Sequence, residues 1–515
     1  MSFRSTALLL AAVSTVALAA PPAPQPTAGA NAIKQLRFDW SAVPGATGYE
    51  LWFKANAGAQ PVRYFQMPGT QRSVINNISV HLLDWTNARY WVSACDATGC
   101  TASNPLAVNA AMPDTIGLFS SPSQQAASQF GYVTALSDDG RTLAVAAPFE
   151  SSTDPALPKG SAYIYRKSAS GWVFQSAIPF DVARQGDTRN VRLSLDGAGN
   201  VLAIALMGDK PHGATTGIGS GSVKVFRYVS GHGWRSDATI AMQTGIEWTS
   251  AENVELNDAG NTLAIKTALG ESGVYVYTYD DAGTWSHTGT ALGHGADVDQ
   301  GDSCGRFSFS GDGKVLAYTC GSFDPSDTVL EVHAAPDWGI RDTIDVPAGT
   351  TYLAAEALDA TGNALAVTIA NTSDFTDLRV EIHRRANGGY QREAVLRPGT
   401  WTSHSGNATG GFGSEVRFSA DGKLLAISDP GDRGVGTGSL APPLTAGSKA
   451  IGAVYIYERR TNGSWNLRRV VKPGRAGAAY ETGQFGRDIS LGDNGRVLAV
   501  GHPAANNNAG VLWLY

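Results

Sequence analysis

Short runs of alternating hydrophobic and polar residues fill this chain, as in strands with one face buried. In the C-terminal four-fifths the runs share one punctuation. Seven segments repeat it: LSDDGRTLAV (136–145), LDGAGNVLAI (195–204), LNDAGNTLAI (256–265), FSGDGKVLAY (309–318), LDATGNALAV (358–367), FSADGKLLAI (418–427) and LGDNGRVLAV (491–500). Each carries a hydrophobic residue four before a glycine, then Arg, Asn or Lys, then any residue, then Leu-Ala. The leucines fall at 143, 202, 263, 316, 365, 425 and 498, so the gaps are 59, 61, 53, 49, 60 and 73. This predicts a hairpin. Asp, Asn and Gly form the turn, with glycine free to take positive φ, and Leu-Ala opens a buried strand whose small alanine permits close packing.

A third strand with alternating aromatics follows, at Ala162–Tyr165, Val223–Phe226, Val274–Tyr277 and Val454–Tyr457. A fourth begins near Trp172, Trp234, Trp285, Trp338, Tyr390 and Trp465. Four strands per repeat, repeated radially, describe the blades of a β-propeller. The seventh repeat stops at Val511-Leu-Trp-Leu-Tyr515, its third strand, and residues 115–122 (TIGLFSSP) read as an isolated fourth. The expected C-terminal domain is therefore a seven-bladed propeller over 113–515, closed by residues 115–122, with no unpaired edge at the junction. The alternative, an open solenoid, needs capping repeats of unusual sequence.

Phe130-Gly131, Phe412-Gly413 and Phe485-Gly486 each precede a first strand. Second strands end in Ala146-Ala-Pro148, Ser428-Asp-Pro430 and Gly501-His-Pro503. These resemble FG-GAP repeats, as in the propeller at the head of integrin α subunits and in many secreted bacterial proteins. The likeness is strong in repeats one, six and seven and degraded in two to five. It implies the fold firmly and a binding role loosely.

The N-terminus reads Met1-Ser-Phe-Arg4, then an apolar run from Ala7 to Ala20 containing Ala17-Leu18-Ala19. This fits a secretory signal over residues 1–19, the run being shorter than the ~20 residues that span a bilayer. Residues 20–32 are Pro/Ala-rich and read as an extended linker. Strand-like runs then occupy 33–111, among them Leu36–Trp40, Tyr49–Phe53 and Tyr90–Ala94, punctuated by Pro44-Gly45 and Pro68-Gly69, as in a small antiparallel sandwich. FDWSAVPGATGYELW followed by ARYWVSACDATGC resembles a fibronectin type III domain. The resemblance places Trp40 in the core and Tyr90 at the tyrosine corner, and it brings no catalytic residue. The whole chain is thus expected to be all-β, a fibronectin type III-like β-sandwich followed by the propeller.

Composition narrows the partners. Hydrophobic residues make up 43% and charged ones 16% of 515, which excludes a disordered chain. A net charge of -6 without a long basic run favours neither nucleic acid nor an anionic membrane surface as a partner; no nucleic-acid partner is expected, and no integral membrane segment after signal cleavage. Export permits disulfides. Cys95 and Cys100 flank the turn Asp96–Gly99, and Cys304 and Cys320 are equidistant from Asp312, facing each other if the chain turns at 311–313. Two disulfides are expected, with reduced buried pairs as the alternative.

Candidate chemistry is sparse. Integrin-type blades often carry a calcium loop of three closely spaced aspartates, but turns such as SDDGRT and SADGKL are too short for four oxygens to converge on a cation. Their aspartates read as turn-formers. Asp297, Asp299 and Asp302 are the nearest cation-like cluster and depart from that spacing, so no cofactor is expected, with calcium as the weak exception. Gly301-Asp-Ser-Cys-Gly305 matches a nucleophile string but lacks the strand-to-helix turn that an elbow needs. Topology sends the fourth-to-first and second-to-third connections to one face, which is expected to present Trp248, Trp401, His404 and His502, and the pair Asp429/Asp432. The expected role is a secreted (extracellular, periplasmic or cell-surface), non-catalytic binding or adhesion protein that engages protein or glycan there. The alternatives are an extracellular hydrolase or lyase acting near the propeller axis, and a structural component of a cell-surface assembly.

Overall fold

The computed structural model describes residues 19–515 except 151–158, 182–190, 207–220, 242–249, 269–272, 293–302, 322–328, 346, 348, 372–377, 399–410, 434–449 and 476. Residues 1–18 of the expected signal therefore lie outside the described residues. The chain divides into two compact units, one of residues up to 31, 36–76 and 84–111, the other of 32–35, 77–83 and 112–515. Among the described residues no helix is long and apolar enough to cross a membrane.

The N-terminal strands form two sheets, one of them antiparallel. Gly48–Lys54 pairs with Val62–Pro68 on one side and Arg89–Cys95 on the other. A three-stranded sheet holds Thr27–Ala32, Gln35–Asp39 and Ser73–Asn77. Thr27–Ala32 was expected in the linker. Its alternation of small residues is too weak to announce a strand, and its neighbour in the sheet supplies the pairing instead. Trp40 is buried with its ring 5.3 Å from that of Tyr49. Tyr90 is buried between Phe38 and Phe53, and its hydroxyl accepts from the Asn76 side-chain amide at 3.3 Å. Cys95 and Cys100 are bonded across a hairpin whose turn is held by Asp96, its Oδ1 accepting from the backbone N–H of Thr98 and Gly99.

In the second unit the described residues form seven four-stranded antiparallel sheets. Six are meanders of four consecutive strands. The last orders Ile489–Gly492, Val497–His502, Val511–Leu514 and then Gly117–Phe119, whose residues pair as Leu512 with Phe119 and Leu514 with Gly117. The first strand of each sheet touches the first strand of the next, and that of the seventh touches that of the first. A ring of radial sheets closed in this way is a β-propeller.

Local chemistry explains the repeated turn. The residue three before the turn glycine is Ser, Asp or Asn in six sheets and Gly492 in the seventh, and in the six its side-chain oxygen accepts backbone N–H groups four or five residues on. Examples are Ser137 from Thr142 at 2.9 Å, Asp196 from Val201 at 2.8 Å and Asn257 from Thr262 at 2.9 Å. The glycine that follows closes the turn at φ between 64° and 75°. The seven leucines and the alanines beside them are all at 0% exposure, packed between neighbouring sheets.

The cysteine pairing needs a correction of detail. The fourth sheet turns over four residues, with Ser310 N–H bonding Val315 O, so the hairpin is not centred on Asp312. Cys304 still stands opposite Cys320, because a bulge between Cys304 and Phe307 inserts one residue into the first strand. The two side chains lie outside the described residues.

The Phe-Gly pairs also have a physical role. Phe130, Phe412 and Phe485 are fully buried. The backbone of Phe130 bridges in parallel to Gly510, and that of Phe485 to Gly452, each glycine lying just before the third strand of the preceding sheet. A Cβ on Gly452 would lie 2.1 Å from Phe485 O, and one on Gly510 2.2 Å from Phe130 O.

Candidate functional site

The first strands of all seven sheets line an axial cavity of about 220 Å³. Its wall mixes hydrophobic with polar side chains, among them Thr134, Ser194, Glu255, Ser308, Arg417 and Asp488. Several of these tie neighbouring sheets together. Ser194 Oγ accepts from Leu256 N–H at 2.9 Å, Glu255 Oε2 from Phe309 N–H at 2.7 Å and Ser308 Oγ from Leu358 N–H at 2.9 Å. Between the last sheet and the first, Asp488 Oδ2 accepts from Thr134 N–H at 2.5 Å, and Thr134 Oγ1 meets Ser490 Oγ at 2.9 Å. The hairpin turns repeat the device in backbone alone. Gly197 N–H bonds Asp258 O, Asp258 N–H bonds Gly311 O, and Asp493 N–H bonds Asp138 O.

Charge in the cavity centres on Arg417, which pairs with Glu415 at 3.2 Å and Asp488 at 3.8 Å. Burial pushes Glu255 up to about 7, opposed by the Arg417 charge. It also raises Asp488, with Glu415 adding to the effect. At the turn end Asp138 is pushed up to about 7 by burial and by the neighbouring Asp258. The axis can therefore hold protonated carboxyls at neutral pH.

This sets a sign for pH dependence. Glu255 has a folded-state pKa above its ordinary 4.5, so the folded chain holds an extra proton between about 4.5 and 7 and loses stability as pH rises through that window. Glu255→Gln is expected to be more stable than the wild type at pH 8 by about 2 kcal/mol, the full shift being discounted because Glu255 is only partly buried. The two should coincide near pH 4.5. Urea melts at both pH values check this, and a variant no more stable at pH 8 would show that the carboxyl is not strained there.

The buried histidines serve the scaffold. His333 meets Trp338 O at 2.9 Å and Glu331 at 3.1 Å, and His81 meets Gly495 O at 2.8 Å. His502, expected on the loop-bearing face, is at 0% exposure. Trp513 Nε1–H donates to its Nδ1 at 3.4 Å, and burial drives its pKa down to about 4. It is a neutral interior side chain because the residue before the proline is the inward-facing end of the second strand. Asp429 and Asp432 are likewise buried, beside Lys472 and Tyr455. Trp248, Trp401, His404, Asp297, Asp299 and Asp302 lie outside the described residues. Of the nucleophile string, Ser303 opens the first strand of the fourth sheet and runs on as strand. The turn aspartates act as turn-formers: Asp139 Oδ1 accepts from Ser137 Oγ and Arg141 N–H. Among the described residues the one trio of close metal-ligand types is Glu50, Cys95 and Cys100, whose sulfurs are bonded to each other rather than free as thiolates.

No protein-family model matches the chain, and no curated protein sequence does. Solved structures do resemble it. The periplasmic gluconolactonase PpgL of Pseudomonas aeruginosa is 15% identical, with a TM-score of 0.42 over 82% of this chain and 96% of the other. The Cps50 (Swd1) β-propeller domain of Myceliophteria thermophila is 13% identical, with a TM-score of 0.45 over 78% and 99%. Hydrazine synthase of Kuenenia stuttgartiensis is 13% identical, with a TM-score of 0.46 over 76% and 96%. The ring of inner strands, rather than any of these likenesses, makes the fold a propeller.

Proposed function

We propose that the chain is a secreted, non-catalytic binding protein. In this reading a seven-bladed FG-GAP-type propeller, accompanied by a fibronectin type III-like module, engages an extracellular protein or glycan. The observation that carries it is the inequality of the two faces. First and second strands are joined by tight turns, as from Leu136 to Thr142 or Gly492 to Val497. The connections at the opposite end run from Leu206 to Ser222, from Leu396 to Val416 and from Asp429 to Ala453. Connections of that length in a rigid scaffold are where recognition residues are usually carried. Trp248, Trp401 and His404 fall in connections of this set. The polar groups of the axis support the same reading, since several are committed to joining sheets.

The test shortens two connections, replacing 208–220 and 243–248 with brief Gly/Ser linkers. Binding on a glycan array and to a panel of immobilised extracellular proteins should be lost while the melting temperature holds. Equal binding by the shortened protein, or no binding by the wild type, overturns the proposal. One observation favours a second reading, an axial hydrolase or lyase: Glu255 titrates near neutrality beside Arg417, as a general acid–base group must. Hydrolysis of lactones or glycosides by the wild type that Glu255→Gln abolishes would establish it.

A further inference from the structure

The sixth sheet holds a lysine and an aspartate in a contact that the repeat does not require. Asp432 lies just beyond the second strand, Leu424–Asp429, and Lys472 just beyond the fourth, Trp465–Val471. Their side chains are 1% and 0% exposed, with Nζ 2.7 Å from Oδ1. Asp432 is pinned on its other sides. Its carbonyl accepts N–H groups from Ile451 and Gly452, both at 3.0 Å, and the Tyr455 hydroxyl donates to Oδ2. Asp429 is also buried, and its carbonyl accepts Asp432 N–H at 3.2 Å. In the first sheet the corresponding carboxylate, Glu150, is met by hydroxyls of Tyr163, Ser123 and Ser121. The fold is thus served there by neutral donors. A buried ion pair is a poor way to stabilise a core compared with such groups.

We infer that Lys472 and Asp432 are joined by an isopeptide bond that forms spontaneously after folding. An amine held at hydrogen-bond distance from a carboxyl group, away from water, meets the positional requirement for acyl transfer. Burial lowers the Lys472 pKa, favouring the neutral amine, and raises that of Asp429 to about 7, so Asp429 carries a proton for much of its time at neutral pH. The Lys472 ammonium first passes a proton to Asp432 across their contact. The freed amine attacks Asp432 Cγ, with Asp429 donating a hydrogen bond to the developing oxyanion. Asp429 then relays the second amine proton to the departing hydroxyl, and the C–O bond breaks as C–N is completed. One ammonium and one carboxylate become one amide and one water, with Asp429 returned to its starting state. The bond closes the covalent loop from 432 to 472 around the long connection of this sheet.

Intact-mass measurement of the folded, purified protein is the test. After reduction of its disulfides it should be lighter than the sequence of the purified polypeptide by the mass of one water, and trypsin should release peptides 424–433 and 470–475 as one branched species. Full mass with the two peptides recovered separately overturns the inference, and needs no variant. Lys472→Arg should restore the full mass and lower the melting temperature. Asp429→Asn should leave a folded, unlinked protein. Complete linkage in Asp429→Asn would overturn the role given to that carboxyl.

Discussion

Deleting residues 113–122 lowers the melting temperature of the propeller by about 6 °C and broadens its transition. The segment supplies the outer strand of the last sheet, where Gly117–Phe119 pairs with Val511–Leu514. It also buries Ile116 fully and Leu118 and Phe119 in part, the Phe119 ring lying 5.1 Å from Tyr165. At about 1.5–3 kcal/mol for each large side chain fully buried, these amount to roughly 5 kcal/mol. Spread over the unfolding entropy of about 400 residues, that loss gives the stated shift. The deletion also exposes Val511–Leu514 as an unpaired edge, so association at high protein concentration should accompany it. Scanning calorimetry and light scattering check both. An equal-length Gly/Ser replacement of 115–120 separates the strand's own contribution from that of the shortened chain. Unchanged melting in both variants would mean that the ring does not rely on this strand.

Gly452→Ala and Gly510→Ala are each expected to cost about 3 kcal/mol, combining left-handed strain with forced backbone movement. Their φ values are 97° and 80°, and the new Cβ would overlap the carbonyl oxygens of Phe485 and Phe130. Gly388 is the control. Its φ is 94°, yet a Cβ there would meet nothing within 4 Å, so Gly388→Ala should cost only about 1 kcal/mol. Urea denaturation of the three variants isolates the close approach between sheets. Equal losses at all three sites would assign the effect to backbone strain alone.

These two cases show where the sequence was readable. The hairpin turn, the Leu-Ala strand and the borrowed outer strand repeat one local chemistry, and repetition made them visible. Gly452 and Gly510 carry no such signal by themselves. Their partners are Phe485 and Phe130, in the following sheet, and only the Phe-Gly pairs hinted at a close approach. The axial group was less legible still. Glu255, Arg417 and Asp488 come from three different repeats, and each looks like an ordinary polar residue in an alternating strand. Their meeting depends on ring closure. A partial signal was nonetheless available: in the second, third, fourth and sixth sheets the polar residue one position before the first strand's end (Ser194, Glu255, Ser308, Arg417) lines the axis. His502 was misplaced for the converse reason. A histidine beside a proline suggests a surface loop, whereas its counterparts Ala147 and Asp429 are buried strand ends.

The backbone bonds between successive hairpin turns have a consequence for how such a chain can change. Adding or removing one unit would sever links at two places and alter the angle between all the others. Extending a connection at the far end disturbs none of them. Drift in chain length is therefore channelled to one side, and the uneven spacing of the units records it. New specificity could arise by insertion alone, without renegotiating how the circle is made.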